Sequence, residues 1–328
     1  MSAVATAGAP TLADRVLAGE LTAVARMISR VERGEPGVGA EIAQLFEAGG
    51  RAHVVGVTGA PGTGKSTLVA AMAAELLRRG LRVGVIAVDP SSPFSGGAIL
   101  GDRVRMSAVA AQPGVFMRSM AARGTLGGLA RATSDVVSVL DAAGMDVVLV
   151  ETVGVGQDEI DIATAAHTTV LVSVPGLGDD IQLLKAGVME IADVHVVNKA
   201  DREGADQLIA QITTMLRLGG RPPEGRWDVP VLSTVASRAE RIAGLVDTVD
   251  AHHRWLAGCE ELERRERRMA VARLTTICSD LLRASLQSPG RSAEFDAAVE
   301  AVQHRRQDPW EAARQLVVGL RPPATVER

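Results

Sequence analysis

Gly59-Ala60-Pro61-Gly62-Thr63-Gly64-Lys65-Ser66 has the residue types and spacing of a loop that wraps phosphates. Glycines let successive backbone N–H groups turn inward on an anion, and a helix N-terminus behind them adds partial positive charge. Lys65 is placed to reach the β and γ phosphates, and the Ser66 hydroxyl, with Thr67 beside it, suits a magnesium ion. A plain glycine-rich turn is the competing reading. Context argues against it: an apolar run, Val54–Val57, precedes the loop, and an Ala/Leu-rich helix, Ser66–Arg79, follows and stops at Gly80.

A second constellation, Asn198-Lys199-Ala200-Asp201, follows the apolar run ending at Val197. A carboxylate at Asp201 can accept from both N1–H and the exocyclic amino group of guanine, a donor pair that adenine lacks. Asn198 would brace the loop, and the Lys199 stem can lie along the base. Alone the motif is weak, because strand-ending loops often carry Asn and Asp. Downstream of a phosphate loop it points to guanine.

Further acids and glycines end other strands. Glu151-Thr152-Val153-Gly154-Val155-Gly156-Gln157 follows Asp146–Val150, so Glu151 can hold Mg²⁺ or its water and Gly154 N–H can meet a γ phosphate. Gln157 is a candidate for positioning attacking water. Asp89 ends a strand before Pro90-Ser91-Ser92, and Asp102 closes a Gly/Ser-rich loop. Both could join the metal shell, directly or through water, though Asp before Pro and Ser is also turn chemistry. Gly176 to Lys185 leaves another strand, with glycines suited to a mobile loop and one of the chain's lysines. The plainer reading of that segment is a capped helix with a surface Lys185. Six scattered histidines, including the pair His252-His253, read as surface or packing residues.

The composition sharpens these readings. Lys and Arg total 35, yet only Lys65, Lys185 and Lys199 are lysines, and all three fall inside the motifs above. In a chain that writes Arg wherever a cation serves, a retained Lys marks a place for a compact ammonium or a slim stem. Hydrophobic residues at 47% and charged residues at 23% exclude wholesale disorder, and a net charge of −4 gives no field to recruit nucleic acid. Apolar runs such as Val170–Val174 are strand-sized, so no membrane span is expected. Met1–Pro10 is small and polar with no basic segment before an apolar stretch, so no signal peptide is expected either. Two cysteines, Cys259 and Cys278, cannot build a disulfide framework, and a reducing cytoplasm fits best.

Elements that position the motifs alternate between strand and helix. Strands are expected at Val54–Val57, Arg82–Val88, Val147–Val150, Thr169–Val174, Val194–Val197 and Val229–Leu232. Helices are expected at Ser66–Arg79, Leu126–Ala143 (after a long loop) and near 158–166, 179–191 and 204–218. Such alternation implies an α/β fold with a mostly parallel sheet covered on both faces. Residues 1–50 read as a helical N-terminal extension and 51–250 as the α/β domain. Residues 251–328 read as a helical C-terminal segment containing one long amphipathic helix over 260–287 and a short one at Asp308–Leu320. A solvated charged face is the bland reading of the long helix, an oligomer interface the sharper one.

Taken in order, the phosphate loop, Asp-Pro-Ser-Ser, Gly-Asp-Arg-Val-Arg-Met, Glu-Thr-Val-Gly-Val-Gly-Gln, Gly-Asp-Asp-Ile-Gln with its Lys, and Asn-Lys-Ala-Asp closely resemble the MeaB/ArgK/MMAA family. Its members are P-loop GTPase chaperones of adenosylcobalamin-dependent acyl-CoA mutases. The resemblance implies GTP/GDP and Mg²⁺ as ligands, with Ser66, Asp89, Asp102 and Glu151 as the magnesium neighbourhood. It also implies switches at 89–106, 151–160 and 176–188, a mutase as partner with methylmalonyl-CoA mutase the default, and a homodimer through the C-terminal arm. Lys65, Glu151, Gln157 and Lys185 are the expected catalytic set. One departure lies at Ser233-Thr234-Val235-Ala236, where many GTPases have Ser-Ala in the base loop; which atom at Ser233 or Val235 meets guanine stays open. Alternatives are a nickel- or zinc-inserting GTPase, which usually needs a Cys or His cluster, an ATP-using kinase or transport ATPase, and a non-catalytic oligomerisation protein.

Overall fold

A computed structural model describes residues 9–90, 112–122, 128–152, 162–176, 188–218, 223, 225–286, 288 and 290–319. Seven strands form one parallel sheet: β1 His53–Thr58, β2 Val83–Pro90, β3 Val115–Ala122, β4 Val147–Glu151, β5 Thr168–Ser173, β6 Val194–Val197 and β7 Val231–Ser233. Their spatial order is β3-β2-β4-β1-β5-β6-β7, which puts β1 between β4 and β5. The register sets Val57 beside Glu151 and Thr58 beside Leu171, so the carboxyl ends of the three central strands open on one edge. In a parallel sheet that edge is where ligands bind.

Alternation along the strands divides the core. On one face Val55, Val57, Val147 and Leu149 pack with Leu68, Val69, Met72 and Leu76 of α4 (Lys65–Arg78) and with Ile242, Leu245 and Val249 of α7 (Ile242–Ala257). Val54, Val148 and Val150 face the other way. They meet α1 (Leu12–Leu17), α2 (Leu21–Arg33), α3 (Val38–Ala48) and α5 (Gly128–Ala142) through residues such as Met27, Ile28, Leu45 and Leu140. Each fully buried Leu or Ile contributes about 1.5–3 kcal/mol, enough to hold helices that would be marginal alone. The helices α1–α3 thus share the core of the sheet. A smaller cluster beneath α6 (Ala205–Leu218) closes the β6–β7 side through Leu208 and Ile212.

One strand, β3, lies where a long loop is expected. Its polar middle, Arg118-Ser119, hides the strand pattern, because Arg118 finds its partners outside the sheet: Nη2 meets Glu32 and donates to Ser29 Oγ at 3.0 Å, both on α2, while the buried Nε has no hydrogen-bond partner among the described residues. Within the expected 158–166 and 179–191 helices, the described parts are a short piece near Ile162 and a 3₁₀ turn at Val188–Ile191.

The C-terminal segment contains α8 (Glu261–Leu286), α9 (Ser292–Gln303) and α10 (Pro309–Val318). Two arginines fasten α8 to the body. Arg265 Nη1 lies 2.9 Å from Asp193 Oδ2 and donates to the His167 carbonyl at 2.8 Å. Arg273 donates to Asp135 Oδ1 at 2.7 Å and sits over the Phe46 ring. Leu262, Met269 and Ile277 are half-buried on that side, whereas Val271, Leu274, Cys278 and Leu281 are exposed. No described helix is long and apolar enough to cross a membrane.

Candidate functional site

The loop Gly59–Gly64 leaves β1 and enters α4 at Lys65. Two of its glycines are fixed by geometry. Gly59 has φ 138°, and a Cβ there would fall 2.2 Å from the Val172 carbonyl oxygen on β5. Gly64 has φ 86°, and its Cβ would fall 2.7 Å from Asn198 Nδ2. Such backbone values are left-handed, which only glycine reaches without cost. Thr63 Oγ1 donates to the Ala60 carbonyl at 2.9 Å, tightening the turn around Pro61. The buried Lys65 ammonium donates to the carbonyls of Gly59 at 2.8 Å and Ala60 at 3.1 Å. It is thereby held across the loop mouth, where a phosphate oxygen can exchange for a carbonyl.

Ser66, on the first turn of α4, donates from Oγ to Glu151 Oε1 at 2.6 Å. Glu151 ends β4 and is 5% exposed, so a hydroxyl and a buried carboxylate face each other beside the phosphate loop. Next to them Thr152 Oγ1 donates to Thr58 Oγ1 at 3.0 Å, and Thr152 N donates to the Val57 carbonyl at 3.1 Å. These bonds tie the exit of β4 to the exit of β1. Hard oxygen donors in this arrangement suit a small divalent cation.

Asn198 joins three segments. Its Nδ2 donates to the Thr63 carbonyl at 2.9 Å, and its Oδ1 accepts from Thr234 Oγ1 at 3.2 Å and from Ala236 N at 3.1 Å. At 2% exposed, it is a buried polar group with both ends of its amide bonded. Lys199, at φ 54°, turns its chain across the site and donates from Nζ to the Gly62 carbonyl at 2.6 Å. Its stem therefore runs between the phosphate loop and the base loop. Asp201 remains 39% exposed, with Oδ2 at 3.5 Å from Arg238 Nη1. Ser233 ends β7 and accepts from Arg241 through Oγ, while Val235 is buried and pairs its backbone with Glu240.

The structure thus brings Gly59–Thr67, Glu151, Asn198, Lys199, Asp201, Ser233 and Val235 to one edge of the sheet. Asp102, Gly154, Gln157 and Lys185 lie outside the described residues, as does the side chain of Asp89, the next-to-last residue of β2. Three residues of the described site escape motif reasoning. Thr234 and Ala236 brace Asn198, and their signal is only that they stand in the base loop. Arg238 has no signal at all in a chain so rich in arginine.

A parallel sheet covered on both faces, a phosphate loop between β1 and α4, and an Asn-Lys-Ala-Asp loop two strands away define a P-loop GTPase. The family described as methylmalonyl-CoA mutase-associated GTPase MeaB matches residues 24–290, and this chain belongs to it. A Pyrococcus abyssi protein provisionally named a GTPase is 45% identical over 307 residues, spanning 93% of this chain and 95% of its own length. GTPase ArgK of Escherichia coli is 43% identical over 198 residues, 58% of this chain and 60% of ArgK. The mouse methylmalonic aciduria type A homolog, named as mitochondrial, is 37% identical over 216 residues, 65% of this chain and 52% of its own. A crystal structure titled LAO/AO transport system kinase superposes with TM-score 0.69 at 25% identity, covering 97% of this chain and 99% of that one.

Proposed function

We propose that this GTPase is a magnesium-dependent chaperone of an adenosylcobalamin-dependent acyl-CoA mutase, with methylmalonyl-CoA mutase the default partner. GTP binding and hydrolysis would gate cofactor loading and protect or reactivate the mutase. One observation carries the reading. The expected switch segments 151–160 and 176–188 leave from β4 and β5, the two strands that flank β1 and its phosphate loop. A γ phosphate at the loop would therefore sit between both exits, where its presence or loss can bias each segment.

Within that site the residues divide the work. Lys65 and the loop N–H groups would bind the β and γ phosphates. Asp201 would select guanine and the Lys199 stem would support the base. The Ser66 hydroxyl and Glu151 carboxylate fit Mg²⁺ by donor chemistry, with Asp89 and Asp102 as further candidates, direct or through water. Magnesium bound there would neutralise charge on the transferring phosphoryl group. Gly154 is the proposed donor to the γ phosphate, Gln157 the residue that positions water, and Lys185 the cation that supplies charge to the transferring phosphoryl group.

A homodimer in the cytoplasm completes the proposal. Val271, Leu274, Cys278 and Leu281 recur at intervals of three, four and three residues on the outward side of α8, the spacing of a coiled-coil seam. Exposed apolar residues in such a row are what a second copy would cover. The test is GTP turnover with and without purified acyl-CoA mutases. Acceleration by one of them is expected; no response to any would remove the chaperone reading.

A further inference from the structure

The turn that follows the base loop is closed and strained, and it is aimed at Asp201. Val235 N donates to the Glu240 carbonyl at 3.3 Å and Glu240 N donates back to the Val235 carbonyl at 3.2 Å, forming an isolated antiparallel bridge. Between and beyond those bonds, Ala239 at φ 54° and Arg241 at φ 62° both adopt left-handed backbone. Neither is glycine, and such conformations persist only where the surroundings impose them. Inside the turn, Arg238 donates from Nε to Glu240 Oε1 at 2.7 Å and from Nη2 to Oε2 at 3.4 Å. That two-point grip directs its remaining Nη1 toward Asp201 Oδ2 at 3.5 Å.

The neighbouring residue that could otherwise orient Asp201 is unable to do so. Val235, in the base loop, has an apolar and buried side chain. Thr234 is committed to Asn198. Among the described residues, the charged group presented to the Asp201 carboxylate is therefore the Arg238 guanidinium.

We propose that Arg238 is a specificity-determining positioning residue: clamped by Glu240, it fixes the rotation of the Asp201 carboxylate so that both oxygens meet guanine's two donors. This rests on the assignment of Asp201 to the base. A carboxylate has about four lone-pair sites, so a guanidinium 3.5 Å from one oxygen leaves room for N1–H and the 2-amino group. An arginine suits the task because its fork is planar and permanently charged. The Arg238–Asp201 pair is solvated, with side chains 54% and 39% exposed, so its effect is modest and salt-sensitive.

The experiment compares GTP with inosine triphosphate, which lacks the 2-amino group, by competition titration at low and high salt. In the parent, both carboxylate oxygens engage GTP and only one engages inosine triphosphate. Arg238→Ala is expected to weaken GTP about two- to fivefold and inosine triphosphate less, narrowing the ratio. High salt should narrow the parent's ratio in the same direction, and Arg238→Lys should recover part of it. Thermal melting of each variant checks the fold. An unchanged ratio in Arg238→Ala, or tighter GTP binding, would overturn the inference, the latter by making Arg238 a competitor for Asp201. Asp201→Asn in the same titration separates the two claims. If it keeps the parent's preference for guanine, the base assignment itself fails; if it loses that preference while Arg238→Ala keeps it, only the role of Arg238 fails.

Discussion

The Ser66 hydroxyl donates a 2.6 Å hydrogen bond to Glu151 Oε1, joining the first turn of α4 to the last residue of β4. The helix dipole and the phosphate loop are thereby locked to the strand whose exit leads into residues 153–161. A cation that takes both oxygens must break this bond and replace it.

Glu151→Gln should accordingly reduce Mg²⁺-dependent GTP turnover far more than nucleotide binding. The amide keeps the shape but loses the charge that organises the metal around the γ phosphate. Asp102→Asn should act in the same direction if it belongs to the shell. The measurement is turnover across a magnesium titration, set beside fluorescent nucleotide binding. Parental rates in both variants would make them structural acids at strand and loop ends.

Base specificity gives the second prediction. Asp201→Asn replaces an acceptor with a group that can donate, so GTP affinity should fall while xanthosine triphosphate, with its 2-oxo group, should bind better. A buried donor left unpaired costs about 1–3 kcal/mol, roughly ten- to a hundredfold in affinity. An unchanged preference for GTP would remove Asp201 from base recognition.

Much of the fold is legible in sequence where one local pattern dominates. Val54–Val57 and Val147–Val150 are continuous apolar runs, and Val194–Val197 is apolar but for His195; such runs belong in a parallel sheet buried on both faces. The phosphate loop is legible because its glycines answer a steric demand, shown at Gly59 against Val172. Partners distant in sequence blur the rest. Arg118 interrupts β3 and is acceptable only because Glu32 and Ser29 reach it from α2. The α8 pattern reads as a single apolar side, yet Leu274 and Leu281 face outward while Leu262 and Ile277 lean on the body. Arg238 is invisible for the same reason: its meaning lies in a tertiary turn.

The opposite end of β1 predicts an acid-sensitive fold. His53 Nε2 and Thr168 Oγ1 are 2.7 Å apart, Thr168 Oγ1 and His252 Nδ1 are 2.8 Å apart, and the His53 and His253 rings stack at 4.0 Å. Burial pushes His167 and His252 there, and His195 on β6, down to about 4, with His253 and Arg265 also opposing charge on His167. For His252, Asp193 works the other way and burial prevails. Unfolded histidine titrates near 6.5, so these groups stabilise the native state fully above that pH. As pH falls from about 6.5 toward 4 the unfolded chain takes up protons that the native state refuses. Each such histidine removes up to about 1.4 kcal/mol per pH unit across that window. Urea unfolding at pH 7.5, 6 and 5 should show a steep loss of stability, and His252→Gln should flatten it. A flat profile between 7.5 and 5 would mean these imidazoles are not held neutral by burial.

Coupling to the partner is the last prediction. The described site offers a phosphate loop, a hydroxyl–carboxylate pair and a base frame. Lys65 is already positioned inside the phosphate loop. A further cation on the transition state is commonly worth about 10³–10⁵ in GTPase rate. Intrinsic hydrolysis should therefore be slow, and it should accelerate when the mutase binds and biases the segments 151–160 and 176–188. A partner shifts such an equilibrium only by binding its two states differently, so mutase affinity must also change between GTP and GDP. Lys185, one of three lysines in a chain that otherwise writes Arg, is the group expected to supply the charge. Turnover of the parent and of Lys185→Ala, each with and without mutase, checks this. The parent should be stimulated and the variant should lose most of the stimulation while keeping its basal rate. Equal stimulation of both would move the missing charge to another residue.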